Sequence, residues 1–212
     1  MDGNGRWAKA RGKERVYGHF EGGESVRAVM EASVEWGVRY VSFFAFSEEN
    51  WSRSEAEVTT LMGLMLKAMV GELDNFKEHG VHFLVLGNRA RLSDELNATI
   101  DMIDRETASG SALTMILFIS YSGKWDIQQA ARRMAAEGGD SIEPYLVTAG
   151  IPDPDLMIRT SGEKRISNYL LWQLAYSEFV FTDTLWPDFR KEQYRAAIEE
   201  YATRDRRFGK VK

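Results

Sequence analysis

Short apolar runs alternate with longer helical patterns along this 212-residue chain, and no other feature constrains its fold more. Residues 40–46, 81–86, 113–119 and 156–158 read as strands, with 179–181 as a fifth. Helical periodicity occupies 24–36, 55–78, 93–108, 125–136, 169–176 and 191–203. Strands separated by helices pair in parallel, because the crossover helix returns the chain to the same end of the sheet. The expected fold is therefore α/β: a mostly parallel central sheet flanked by helices. No repeat or linker-like tract interrupts it, so residues 1–212 read as one domain, with Glu137-Gly138-Gly139-Asp140-Ser141 as an internal loop.

Open α/β sheets bind ligands beyond the C-terminal ends of their strands, and three chemistry-bearing segments lie at or near such ends. Met1-Asp2-Gly3-Asn4-Gly5-Arg6-Trp7 sets a carboxylate, two glycines and an arginine together. Glycines let backbone N–H groups approach a bulky anion, and an adjacent Asp suits the Mg²⁺ that such an anion carries. Arg159 and Arg165 flank a polar loop after the fourth strand; arginine's planar fork matches adjacent phosphate oxygens. Ser167 adds a hydroxyl, or caps a helix that follows. The third segment, Phe43 to Arg53, ends a strand in Glu48-Glu49-Asn50-Trp51-Ser52-Arg53.

The helix expected over 55–78 is apolar over much of its circumference: Val58, Leu61, Met62, Met65, Met69, Leu73 and Phe76 form one stripe. Such a helix suits a core or a dimer seam, and its methionines equally suit a wall that accepts ligands of several lengths.

The Asp-Gly-Asn-Gly-Arg-Trp-Ala opening, the Phe46-Ser47-Glu48-Glu49-Asn50-Trp51-Ser52-Arg53 segment and the block from Ile158-Arg159-Thr160-Ser161-Gly162-Glu163 to Gln173 resemble the cis-prenyltransferases, closest to bacterial undecaprenyl diphosphate synthase. Tyr176-Ser177-Glu178-Phe179, Leu185-Trp186-Pro187-Asp188-Phe189 and Arg206-Arg207-Phe208-Gly209 continue the match in order. The resemblance implies a Mg²⁺-dependent enzyme that joins isopentenyl diphosphate to an allylic diphosphate such as farnesyl diphosphate. It also implies a hydrophobic tunnel for the growing chain, walled by the 55–78 helix. Asp2 would bind Mg²⁺ and assist departure of the allylic diphosphate. Gly3, Asn4, Gly5 and Arg6, with Trp7, Arg15, His19 and Arg53, would hold that diphosphate. Arg159, Arg165 and Ser167 would bind the homoallylic one, and Glu178 would complete the metal site. Asn50 and Trp51 match a loop that closes over the substrates; Asp2, Asn50 and a substrate phosphate all stand as proton acceptors. Arg207 and Gly209 match a tail that reaches the partner's active site in a homodimer. The family's usual apolar strand ahead of the Asp-Gly-Asn-Gly motif has no counterpart in this sequence, so the backbone of Asp2 is expected to lack that support.

Two departures bear on product length. Phe118 is far bulkier than the Ala usual at its place, and would narrow the tunnel if it faces it; Ala45 leaves room for a long chain. The resemblance favours a long product, near eleven isoprene units, as a carrier-lipid precursor for cell-wall glycans. A short-chain synthase, a non-catalytic isoprenoid-binding subunit and a phosphate-binding regulatory module are the alternatives. A net charge of −5 argues against general nucleic-acid binding, and zero cysteines exclude disulfides and thiolate metal sites. With no apolar run near ~20 residues, the chain is expected to be cytoplasmic, at most peripheral to a membrane that takes up its product.

Overall fold

A computed structural model describes residues 1–205. The element order is α1 (Asn4–Ala10), α2 (Arg15–Glu35), β1 (Tyr40–Ser47), α3 (Glu55–Gly71), α4 (Leu73–Glu78), β2 (Val81–Leu86), α5 (Asp94–Thr107), β3 (Leu113–Tyr121), α6 (Gly123–Glu137), β4 (Leu156–Arg159), β5 (Glu178–Phe181) and α7 (Lys191–Ala202). All five strands fall where the apolar runs place them, and every pairing is parallel. β3 lies between β1 and β2, and its long buried stretch is what a strand covered on both faces requires.

Side-chain alternation along β3 divides the interior in two. Met115, Leu117 and Ile119 join Leu61, Met69, Phe76 and Trp186 on the α3 side. Ile116, Phe118 and Tyr121 join Met157, Leu170 and Leu174 on the other. Helix ends follow local chemistry: Ser93 and Ser122 accept the backbone N–H of Leu96 and Trp125 to open α5 and α6. Within α6, buried Asp126 accepts from Gln129 and from the Val147 N–H, both at 3.0 Å, and so fixes the loop beyond the helix.

The structure departs from the sequence expectations in five places. β4 and β5 form their own two-stranded ladder, and among the described residues no ladder joins β1 to β4. α2 begins at Arg15, well ahead of residue 24, although Gly18, Gly22 and Gly23 disfavour a helix; close packing overrides propensity here. A Cβ on Gly18 would lie 2.0 Å from the Asn4 carbonyl oxygen, and one on Gly22 would lie 2.6 Å from Asn4 Oδ1. The start of α1, absent from the expected elements, therefore rests directly on the α2 backbone. The 55–78 helix breaks at Glu72, whose carboxylate is engaged by Arg27 and Asn75. No helix covers 169–176: Ser167, Asn168 and Leu170 have positive φ values of 49°, 63° and 42°, which a helix cannot contain.

The glycine contacts set a direct contrast. Gly18→Ala is expected to cost about 1–3 kcal/mol in urea denaturation, because the new methyl meets backbone rather than a yielding side chain. Gly23→Ala, whose Cβ meets nothing within 4 Å, should be neutral or raise stability by about 0.5–1 kcal/mol.

Candidate active site

Asp2 is held by groups from the opposite end of the chain. Its backbone N–H donates to Thr160 Oγ1 at 2.9 Å, and that hydroxyl donates back to the Asp2 carbonyl at 2.7 Å. The Trp186 N–H donates to the same carbonyl at 3.0 Å. Both backbone groups of Asp2 are therefore satisfied by residues distant in sequence. Gly3, at φ 109°, turns the chain into α1 with Leu185 packed where a Cβ would stand.

Arginines surround the carboxylate. Arg159 Nη2 donates to Asp2 Oδ2 at 3.1 Å, and Arg6 Nη2 lies 3.6 Å from Oδ1. Burial alone would raise the Asp2 pKa. Hydrogen bonds from Arg159 and Ser161, together with the Arg159 and Arg6 charges, outweigh it and hold the carboxyl below the usual range. Arg6 also donates to the Ser161 carbonyl and hydroxyl. Arg159 Nη1 donates to Ser167 Oγ at 2.7 Å and to the Arg165 carbonyl, while its buried Nε has no partner. Ser167 thus orients a guanidinium and caps no helix. Arg165 pairs with Glu163 and lines the same cavity.

A second cationic cluster stands on α2 and the start of α3. Glu57 Oε1 lies 3.0 Å from Arg53 Nη1 and 3.4 Å from Arg15 Nε. Beside them His19 is driven down to about 4, by burial first and then by the Arg15 and Arg53 charges, with Glu57 opposing. Its Nε2 is buried without a partner. Gly5 lies between the clusters: a Cβ there would come within 3.3 Å of Arg15 Cγ, while its neighbour Arg6 reaches Ser161. Asn50 Oδ1 accepts the Ser47 N–H at 3.1 Å, which leaves the amide nitrogen to serve as a donor.

Asp2, Gly3, Asn4, Gly5, Arg6, Arg15, His19, Asn50, Arg53, Arg159, Arg165 and Ser167 all line one cavity of about 1770 Å³. Its walls include facing stretches of β1 and β4, and its apolar part is lined by Leu61, Met65 and Met69 of α3 together with Phe46 and Phe83.

Three residues expected at the site stand elsewhere. Trp7 packs on Tyr17 and donates to Asp188 at 2.6 Å. Trp51 donates to Ser120 Oγ at 2.8 Å beneath the Arg91 guanidinium, so it braces the 48–52 turn. Glu178 opens β5 opposite Leu156, whereas Asp2 meets Arg159 at the far end of that ladder; the structure does not bring the two carboxylates together. Glu178 instead accepts from Arg204 at 2.9 Å. Arg207 and Gly209 lie outside the described residues.

Among the described residues no three acidic or imidazole groups gather to hold a metal. Asp2 offers an ionised, partly exposed carboxylate, which suits a Mg²⁺ bound chiefly through substrate phosphates and water. Sequence reasoning missed Thr160, Ser161 and Glu57. The first two directly follow Arg159 in the motif, and buried hydroxyls beside a functional arginine are the signal that marks them; Glu57 carried no signal beyond its charge.

Two outcomes follow from this geometry. Thr160→Val, which removes both hydrogen bonds to the Asp2 backbone, should lower turnover about 10- to 100-fold while Thr160→Ser stays within a few-fold of the parent. The lowered pKa of His19 means that the unfolded chain binds its proton first as pH falls. Its contribution is intact above about 6.5 and is lost on the way down to about 4. His19→Gln should flatten the loss of stability over that window in denaturation curves recorded against pH.

The family described as "Putative undecaprenyl diphosphate synthase" matches residues 1–209. An isoprenyl transferase of Porphyromonas gingivalis is 48% identical over 222 residues, spanning 100% of this chain and 87% of that protein. One from Chromobacterium violaceum is 48% identical over 216 residues, spanning 100% and 86%. Among solved structures, lavandulyl diphosphate synthase from Lavandula x intermedia, in complex with dimethylallyl diphosphate, superposes with a TM-score of 0.94 at 31% identity, covering 99% of this chain and 95% of that one. A probable undecaprenyl diphosphate synthase from Campylobacter jejuni gives 0.83 at 32% identity, covering 90% and 92%. With a family match over nearly its whole length and relatives this similar, the chain belongs to the undecaprenyl diphosphate synthase family and is a prenyltransferase.

Proposed function

We propose that this prenyltransferase extends an allylic diphosphate, farnesyl diphosphate in the first instance, with isopentenyl units in cis geometry to give a long-chain polyprenyl diphosphate near eleven units. The observation that carries this reading is one cavity that combines Asp2 and its arginines, Arg159 and Arg6, with a second cluster of Arg15 and Arg53 and with apolar walls from α3 and the strands. Two clusters suit two diphosphates. Arg15, Arg53 and His19, with the Gly3-to-Arg6 turn, would take the allylic diphosphate; Arg159, Arg165 and Ser167 would take the isopentenyl one.

The new C–C bond forms as the allylic C–O bond breaks, its electron pair leaving with the diphosphate, and a proton departs from the isopentenyl unit. Guanidinium groups already aimed at the leaving oxygens stabilise that charge without reorganising. Mg²⁺ held by Asp2 and the phosphates would neutralise further charge on the leaving group. His19, neutral at physiological pH, can offer Nε2–H to a phosphate oxygen. Asn50, whose carbonyl accepts the Ser47 N–H, can present its amide NH₂ as a donor, and Asp2, Asn50 and a substrate phosphate all stand as proton acceptors.

Phe118 packs against Tyr121 and Tyr169 on the face of β3 opposite α3, yet it also lines the cavity, so its bulk is the feature that would favour a shorter product. Ala45 supports a long product: the β1 register passes from Phe44 opposite Phe118 to Phe46 opposite Ile119, which makes Ala45 the bulged residue, and it lines the cavity on the α3 side. A short-chain product is the competing reading, favoured by the likeness to lavandulyl diphosphate synthase. The carrier-lipid role, a homodimeric state and a cytoplasmic location extend the same proposal; no helix among the described residues is long and apolar enough to cross a membrane.

The test is incubation with Mg²⁺, farnesyl diphosphate and labelled isopentenyl diphosphate, with chain-length analysis of the products. Long cis-polyprenyl products are expected, and a stop after one or two additions would overturn the assigned length. Asp2→Ala should reduce kcat by about 10³-fold or more with the fold retained. Arg165→Ala should chiefly raise KM for isopentenyl diphosphate. Ala45→Leu should shift the product distribution to shorter chains.

A further inference from the structure

Large apolar side chains on the first turns of α2 stand partly exposed, Tyr17 with one face stacked on Trp7. Val16 and Tyr17 are exposed and Phe20 is 61% exposed. With Leu64 of α3 they line a shallow groove that also includes Lys13 and Glu14. Three of these residues, Lys13, Phe20 and Leu64, also line the large cavity, so the groove adjoins one of its edges. A contiguous exposed apolar patch of this kind on a soluble face marks an interaction site.

The charge around the patch identifies the partner. Lys9, Arg11, Lys13 and Arg15 precede or open α2, and Lys67 stands one turn beyond Leu64 on α3; all five are exposed. Arg11 and Arg15 have carboxylate partners in Asp188 and Glu57, but Lys9, Lys13 and Lys67 have none within ion-pair distance among the described residues. Lys13 instead sets its ammonium over the Tyr17 ring, 3.5 Å from the centroid. In a chain of net charge −5 this local excess of cations is a departure from the whole. Apolar and aromatic side chains flanked by lysines form the two-part signal of an interfacial segment, one part entering the acyl boundary and the other meeting anionic headgroups.

The geometry points to the corner formed by α1 and the first turns of α2 as a docking surface for an anionic lipid bilayer, with Val16, Tyr17 and Phe20 inserted and Lys9, Lys13 and Lys67 on lipid phosphates. Docking there sets an edge of the cavity against the membrane. That benefit rests on the proposed polyprenyl product, which has no stable place in water, whereas the docking itself does not.

Flotation with vesicles tests it in the absence of any substrate, so its failure is separate from failure of the catalytic reading. The full chain should float with phosphatidylcholine vesicles containing phosphatidylglycerol and not with phosphatidylcholine alone, and high salt should release it. Val16→Ser with Phe20→Ser should abolish flotation while circular dichroism stays unchanged. Lys9→Gln with Lys13→Gln should weaken it on the order of tenfold. Undiminished flotation of both variants, equal partition to neutral vesicles, or absence of flotation overturns the proposal. So does a parent protein whose sedimentation shows self-association that Phe20→Ser removes, since the patch would then be covered by a second copy.

Discussion

The reciprocal hydrogen bonds between the Asp2 backbone and the Thr160 hydroxyl are the constraint on which the rest of the site depends. They join Asp2 to the residue that follows β4, and through Arg159 they fix the Asp2 carboxylate against a guanidinium whose Nη1 is committed to Ser167 and the Arg165 carbonyl. Removing the buried Thr160 hydroxyl leaves the Asp2 N–H without its partner. The cost of such an orphan exceeds the net value of a single hydrogen bond, which is why the arrangement behaves as a unit.

Charge is distributed unevenly over that unit. Asp2 stays ionised because arginines overcome its burial, whereas His19 stays neutral because burial and arginines act in the same direction. An ionised Asp2 and a neutral His19 thus sit among the same class of cations. Only the anion suits a divalent cation, and only the imidazole can face phosphate oxygens without a charge of its own. Ordinary side-chain pKa values already leave an Asp ionised and a His mostly neutral near pH 7, and the neighbours of Asp2 and His19 widen that margin.

Most of the fold was legible because apolar strands in parallel sheets are continuous runs, and all five were visible as such. The helices failed where local preference and packing disagree. Gly18 and Gly22 made the start of α2 look like a loop, yet their lack of a Cβ is what lets Asn4 rest on that helix. Of Ser167, Asn168 and Leu170 only Asn168 is a residue type that favours positive φ, and that one mark did not stop the segment from looking helical. The site was legible to the extent that its residues lie within motifs. Trp7 and Trp51 show the limit of that reasoning: they belong to the motifs as braces, one against Asp188 and the other against Ser120, and a sequence gives no means of separating a brace from a contact.

Glu57 illustrates the converse. A carboxylate between Arg15 and Arg53 lowers the local positive potential, which would seem to oppose phosphate binding. Without it, however, two guanidinium groups would repel each other in a site already desolvated enough to hold His19 neutral. Glu57 holds both arginines on one side of the cavity in the absence of substrate, and its pair bonds, at 3.0 and 3.4 Å and only partly buried, are weak enough to be exchanged for a diphosphate that brings more negative charge. The cluster is therefore preorganised by a carboxylate that a more highly charged ligand can outcompete, and binding exchanges one ion-pair network for another instead of assembling cations from solution.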